Sequence, residues 1–264
     1  MSPMAAATLE VVKRVARLEV MPRYLKVAHE RKSDGSLCTQ ADIAAQTFLT
    51  RELKLIADCP VLGEEMHSEE QEGVWNRAID GLWCVDPIDG TSNFVNGIPY
   101  FGVSVAFMQD RRPLLGVVYD PVADEAFYAE AARGAHLNGV PLPIKETVPE
   151  SLRRAVGAVD LKRLSLLLGE AIGRKPPYSS HRNFGASALD WCYVAAGRFD
   201  VYLHGGQKIW DYAAGSLILQ EAGGFMCTLF NDDFWTDDPW NRSVIAALDN
   251  KLFQEWKLWV RANQ

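Results

Sequence analysis

Two aspartates three residues apart, Asp86 and Asp89, follow an apolar run in the segment Asp86-Pro87-Ile88-Asp89-Gly90-Thr91-Ser92-Asn93-Phe94. Pro87 fixes a bend, and Gly90 permits a tight turn whose successive N–H groups can face an anion. Carboxylate oxygens without histidine or cysteine select hard cations (Mg2+, Mn2+ or Ca2+) over zinc. The pattern is one that sets metal ions beside a phosphate. Taken alone, Asp-Pro and Asp-Gly pairs more often make simple turns. Further acids lie in Gly63-Glu64-Glu65 and, after Trp210, at Asp211 near the start of a helix. Singly, Glu64 reads as a solvated loop charge and Asp211 as an acid favoured by its helix dipole.

The elements that must position these acids follow from periodicity. Residues 81–85 form a short apolar run, a buried strand ending directly on Asp86. Thr39, with Asp42 three residues on, caps a helix over 40–57 whose apolar face is Ala45, Phe48, Leu49, Leu53 and Ile56. Upstream, residues 8–31 read as two helical pieces divided at Pro22, and residues 63–72 as a carboxylate-rich loop. Alternation from Phe101, then 114–119 and 125–130, predicts an antiparallel meander ending at the Asn138-Gly139 turn. The second half reads as strands at 155–159, 200–203, 224–228 and 243–247, with helices at 162–172, 187–196, 210–222 and 250–261. Two lobes are expected, residues 1–140 with the metal-binding strand end and 141–264 with the substrate rim.

The chain has 264 residues, 48% of them hydrophobic and 23% charged, enough apolar material for a large core and unlike a disordered protein. Its net charge is −7 with scattered cations, which argues against nucleic acid or an anionic membrane as the main partner. An acidic protein acting on anions needs cations to mediate. Five widely spaced cysteines indicate neither a disulfide framework nor a zinc site, and no secretory or membrane-spanning run is evident, so a cytoplasmic location is expected.

Taken together, G-E-E at 63–65, D-P-I-D-G-T-S-N-F at 86–94, and W-D-Y-A-A-G with E-A-G-G at 210–215 and 221–224 resemble the inositol monophosphatase family in order and spacing. The resemblance covers nearly the whole chain. It implies an α+β fold, a layered αβαβα sandwich of the inositol monophosphatase and fructose-1,6-bisphosphatase type. It also implies a lithium-sensitive, Mg2+-dependent phosphate monoester hydrolase, expected as a homodimer, in which a metal-activated water attacks phosphorus in line. Glu64, Asp86 and the Ile88 carbonyl would hold one ion, and Asp86, Asp89 and Asp211 a second. A weaker third would sit near Glu64, with Lys32 close by, and Mn2+ is a possible substitute. Thr91 and Asp42 match the pair that orients and deprotonates the water, although Asp42 also suits its capping position. Gly90 and Thr91 would cradle the phosphate.

Gly185-Ala186-Ser187 matches a segment beside the leaving group, and His204 falls where inositol phosphatases carry a glutamate. Imidazole for carboxylate changes charge and hydrogen-bond sense, which puts inositol preference in doubt; His204 reads equally as a strand-end residue without a ligand. The other histidines, His29, His67, His136 and His181, read as surface or loop residues. Histidinol phosphate, sugar phosphates and 3'-phosphonucleotides stand as other substrates of the same chemistry. A regulatory protein on this fold, contacting RNA polymerase or another macromolecule, is the rival reading.

Overall fold

A computed structural model describes residues 1–26, 29–31, 37–145 and 147–264; Lys32 lies outside the described residues. The chain opens with α1 (Pro3–Val15), capped by Ser2, and continues through a π-helical turn, Ala16–Val20, and a 3-10 turn, Met21–Arg23, at Pro22. The helix expected to run on to residue 31 ends there. In its place β1 (His29–Arg31) pairs antiparallel with β2 (Leu37–Thr39). Proline removes a ladder donor, and Thr39 must be extended to cap the following helix. That helix, α2 (Gln40–Ile56), carries the expected capping box of Thr39 and Asp42.

Residues 63–72 are more ordered than a loop. They join β3 (Val61–Gly63) to α3 (Ser68–Arg77), with Glu64 and Glu65 in the turn between. Next come β4 (Leu82–Asp89), parallel to β3, and the short α4 (Thr91–Asn96). The meander then descends through β5 (Gly102–Gln109), β6 (Arg112–Asp120), β7 (Glu125–Glu130), β8 (Ala135–Leu137) and β9 (Val140–Pro141). Asn138 and Gly139, at φ of 48° and 85°, make the final hairpin turn.

The second half contains β10 (Val156–Asp160), α5 (Leu166–Arg174), β11 (Ser180–Arg182), α6 (Ser187–Ala195), β12 (Val201–Gln207), α7 (Ile209–Glu221), β13 (Phe225–Cys227), β14 (Arg242–Ala247) and α8 (Asn250–Ala262). Its five strands lie in the order β11-β10-β12-β14-β13, beside a seven-stranded sheet ordered β3 to β9. Three sequence expectations are corrected here. The helix expected from residue 162 starts at Leu166, where Ser165 Oγ accepts the Leu168 N–H at 3.2 Å. The three-residue β11 carries too little pattern to be foreseen. The strand expected to stop at 203 continues to Gln207, so His204 is not at its end.

Five layers result. Helices α1 and α2 cover one face of the seven-stranded sheet, with Val12, Leu49, Val103 and Val105 in one apolar core. Helices α6 and α7 fill the space between the sheets, joining Ala106, Met108, Trp191, Leu217 and Val244 in a second core. Helices α5 and α8 close the far side around Leu168, Leu203, Ile245 and Trp256. Alternation along β5 therefore separates two apolar faces rather than core from solvent. Helix α7 is buried at every position from Ile209 to Leu219 except Asp211, as a helix sandwiched between sheets must be.

Candidate metal centre and phosphate site

Along a regular strand, residues three apart point to opposite faces. Asp86 and Asp89 escape this because β4 runs past Asp86, where it was expected to stop, and is bulged. Asp86 pairs with Ser104 and Asp89 with Gly102, so the span from 86 to 89 opposes one residue fewer on β5. The extra residue falls at Pro87-Ile88, where proline has no ladder N–H to lose, and it restores both carboxylates to one side. The Ile88 N–H donates to Asp86 Oδ1 at 3.0 Å, locking the bulge from within.

Asp211 arrives from α7. Carboxylate oxygens of Asp86, Asp89 and Asp211 all lie within 4.8 Å of one another. Asp86 and Asp89 are buried, whereas Asp211 is partly exposed and marks the open side. Each acid is held by backbone: Asp89 Oδ2 accepts the Ala188 N–H at 2.7 Å in the first turn of α6, and Asp211 Oδ2 accepts the Lys208 N–H at 2.8 Å. Negative charge at a helix N-terminus is favoured by the aligned peptide dipoles, which offsets part of the crowding. The offset is incomplete. Burial and then the carboxylate of Glu64 push Asp86 well above the usual carboxylate range, and burial and Asp211 do the same to Asp89. Asp211 is raised to about 7 by burial and by Glu64. Such a cluster is electrostatically incomplete without a cation, and its all-oxygen donors suit a hard divalent ion.

Glu64 also hydrogen-bonds the Asp86 side chain. Its backbone is placed by Gln71, whose Nε2 donates to the carbonyls of Gly63 at 3.0 Å and Glu64 at 3.1 Å, and by Gln46, whose Oε1 accepts the Glu65 N–H at 2.9 Å. These glutamines are positioning residues that sequence reasoning missed. Helix α3 is polar nearly throughout and buries only Gln71, so it offers no apolar period to single that residue out.

Gly90 sits at φ 91° before α4, and a Cβ there would lie 3.1 Å from Ala186 Cβ and 3.2 Å from the Tyr100 carbonyl, so glycine is required on both counts. Thr91 Oγ1 lies 3.3 Å from Asp42 Oδ1 and 3.1 Å from the Ile88 carbonyl. Asp42 Oδ2 is occupied by the Thr39 N–H at 2.7 Å and the Thr39 hydroxyl at 2.5 Å, leaving Oδ1 for Thr91. Asp42 is fully buried, and burial raises it to about 6 despite these bonds. Capping its helix and facing Thr91 are thus compatible duties of two different oxygens.

The expected rim residues divide. Gly185, at φ 79°, and Ser187 lead into α6 beside the amide that holds Asp89, and Asn93 ties this segment to α4 by donating to the Phe184 carbonyl at 2.6 Å. His204 is buried inside β12. Its Nδ1 accepts the Gly206 N–H at 3.1 Å, so the ring proton is on Nε2, 3.6 Å from Asp160 Oδ2. Burial lowers it to about 4, and it is neutral at pH 7. His136, expected on the surface or in a loop, lies in β8 stacked on Tyr128.

Comparison with known proteins agrees with this architecture. A sequence model of the inositol monophosphatase family matches residues 1–260. The chain is 38% identical over 205 residues to the Nus factor SuhB of Pasteurella multocida, covering 74% of this chain and 73% of that one. It is 34% identical over 207 residues to the inositol-1-monophosphatase of Bacillus subtilis, covering 74% and 75%. The solved structure of a Thermotoga maritima IMPase superposes with a TM-score of 0.82 at 29% identity, covering 97% of this chain and 95% of that one. No described helix is long and apolar enough to cross a membrane. With its fold and nearly its full length matched, the chain belongs to the inositol monophosphatase family.

Proposed function

We propose that this chain is a Mg2+-dependent phosphate monoester hydrolase of the inositol-1-monophosphatase type. The observation that carries the reading is the convergence of three carboxylates from β4 and α7, their oxygens within 4.8 Å, with Thr91, which closely follows Asp89 in the chain, facing Asp42 of α2. Glu64, Asp86 and the Ile88 carbonyl would hold one ion, Asp86, Asp89 and Asp211 a second, with a weaker third near Glu64. Bound there, divalent ions supply Lewis acidity and neutralise the repulsion between a phosphate dianion and the acidic floor.

The chain's own residues do the rest. The Thr91 hydroxyl has one proton and two acceptors, Asp42 Oδ1 and the Ile88 carbonyl; when it donates to either, its lone pairs accept an O–H from the attacking water and fix that water's direction. With its carboxyl near 6, Asp42 is mostly ionised at pH 7 yet basic enough to draw a proton through Thr91. Backbone amides after Gly90 hold the phosphate, and Gly185, Ser187 and His204 border the leaving group. The lobes 1–140 and 141–264 would meet at this cleft. The family resemblance further supports a homodimer, which sedimentation tests.

The test is phosphate release in Mg2+ from a panel of myo-inositol 1-phosphate, histidinol phosphate, sugar phosphates and a 3'-phosphonucleotide. Release from at least one supports the reading; release from none overturns it. A second reading, a binding role for some outer surface, is favoured by relatives that carry the name Nus factor SuhB. It requires that Asp89→Asn retain the binding while losing hydrolysis.

A further inference from the structure

Aromatic side chains of α8 build a rigid wall on the outer side of the five-stranded sheet. Trp256 is fully buried between the Tyr178 ring, edge-on at 5.9 Å, and the Trp259 ring, stacked at 5.6 Å with an interplanar angle of 14°. Tyr178 is fixed in turn, its hydroxyl 2.8 Å from His181 Nδ1. Trp259 is half-buried, covered on one face by Trp256, and it lines a cavity of about 740 Å3 between α5, α8 and a 3-10 turn, Leu152–Arg154. That volume is in the range of small-molecule sites. Helices α5 and α8 lie outside this sheet whereas α7, with Asp211, lies inside it, so the cavity shares nothing with the acidic floor.

The chain carries a net charge of −7, yet among the described residues no carboxylate lines this cavity, while Arg153, Arg174 and Lys175 do. Arg174 and Lys175 would be favoured at the C-terminal end of α5 in any case. Arg153 comes from a separate element, and neither it nor Lys175 has a side-chain hydrogen bond or ion pair among the described residues. Arg174 pairs with Glu170 at 2.9 Å, but their side chains are 81% and 54% exposed, so the pair is weak and readily exchanged for another anion. A neutral contact stands beside the indole: Asn263 Nδ2 donates to the Trp259 carbonyl at 2.7 Å, which leaves Asn263 Oδ1 to accept. A flat ring bearing phosphates matches all three features. The ring covers the indole, the phosphates take the cations, and an N–H on the ring's edge reaches Asn263. A polyol phosphate would use the cations alone and leave the indole bare.

We infer that this cavity is a second binding site, separate from the acidic floor, for a nucleoside diphosphate, with the base on Trp259 and the phosphates on Arg153, Arg174 and Lys175. No bond is made or broken there. The site stands independently of the hydrolase reading, because it uses none of the acids of the floor.

The test is isothermal titration of the full chain with ADP, in Mg2+ and again in EDTA, where the uncompensated acids of the floor repel anions. Binding is expected in both and should weaken steeply as salt rises. Trp259→Ala should weaken it about tenfold, the loss expected from one stacked base, and Trp259→Phe should recover part of that loss. Arg153→Glu, at an exposed position, should weaken ADP at least tenfold while phosphate release from the monoester panel in Mg2+ stays unchanged. Pyrophosphate and adenosine should each bind at least tenfold more weakly than ADP. No ADP binding overturns the inference, as does binding that disappears in EDTA, which would place ADP on the floor. Pyrophosphate as tight as ADP, or ADP affinity unaffected by Arg153→Glu, overturns it too. A short single-stranded RNA that binds far more tightly than ADP and is displaced by it only in large excess overturns it in favour of a nucleic-acid surface.

Discussion

The acidic floor and the leaving-group rim are built in opposite ways. On the floor, Asp86 and Asp89 are buried in a bulged central strand, and Asp89 and Asp211 are clamped by amides at the starts of α6 and α7. On the rim, Lys162 and Arg163 sit on an exposed loop tied to Asp160 by the Lys162 N–H, to Gly206 by the Arg163 side chain, and seated against Gly205. Each acid of the floor accepts a backbone N–H, whereas Lys162 and Arg163 lie outside both sheets.

The largest effect that would break this contrast is at the floor. Asp89→Asn should lower kcat at least a thousandfold while circular dichroism and melting remain those of a folded protein, since the amide oxygen can still accept the Ala188 N–H. In EDTA at pH 8 the same variant should melt several degrees higher than wild type, because one of three crowded like charges is gone. A fall in melting temperature would show that the acids are structural.

Thr91→Ala comes next, with kcat reduced roughly a hundredfold and KM little changed, the loss expected from one element of proton transfer. An unchanged kcat would remove Thr91 from the water's path.

The third prediction concerns pH. In the metal-free protein Asp42 is raised to about 6 and Asp211 to about 7, so the folded state binds more protons than the unfolded state from about pH 4 upward. Stability must then fall as pH rises through that window, and buried Asp190, raised to about 8, together with Asp86 and Asp89 carries the fall beyond pH 7. In EDTA the melting temperature should drop by about 5 °C or more between pH 5 and pH 8, and Mg2+ should reverse most of that drop. A melting temperature in EDTA that rises across this range would contradict the account.

The smallest effect belongs to the rim. His204→Glu restores an acceptor-only group and should raise kcat/KM for myo-inositol 1-phosphate by a few-fold, with 4-nitrophenyl phosphate as the reference. A drop for both substrates would indicate that the buried carboxylate disrupts β12.

The same contrast governs how much could be read from sequence. The acids of the floor stand in a dense local motif, and both the resemblance and the helix 40–57 followed from residue pattern alone. What made Asp86 and Asp89 neighbours did not, because a bulge depends on pairing with β5, a partner that the local residues do not specify. Gln71 escaped for a related reason, since a buried amide in a polar helix has no period, and Gln46 because a half-exposed amide beside the apolar face of α2 reads as ordinary surface. The hairpin of β1 and β2 and the strands β3 and β11 are three residues each, too short for alternation to register. His204 was recognised as a departure, but its burial and its Asp160 partner come from the parallel pairing of β10 with β12.

The central claim is that the clustered carboxylates exist to hold cations for phosphate ester hydrolysis. The most direct measurement is phosphate release from the monoester panel by wild type and Asp89→Asn, each with Mg2+ and with EDTA. The account predicts release by wild type in Mg2+ alone. Equal release in EDTA, or by the folded Asp89→Asn variant, would contradict it.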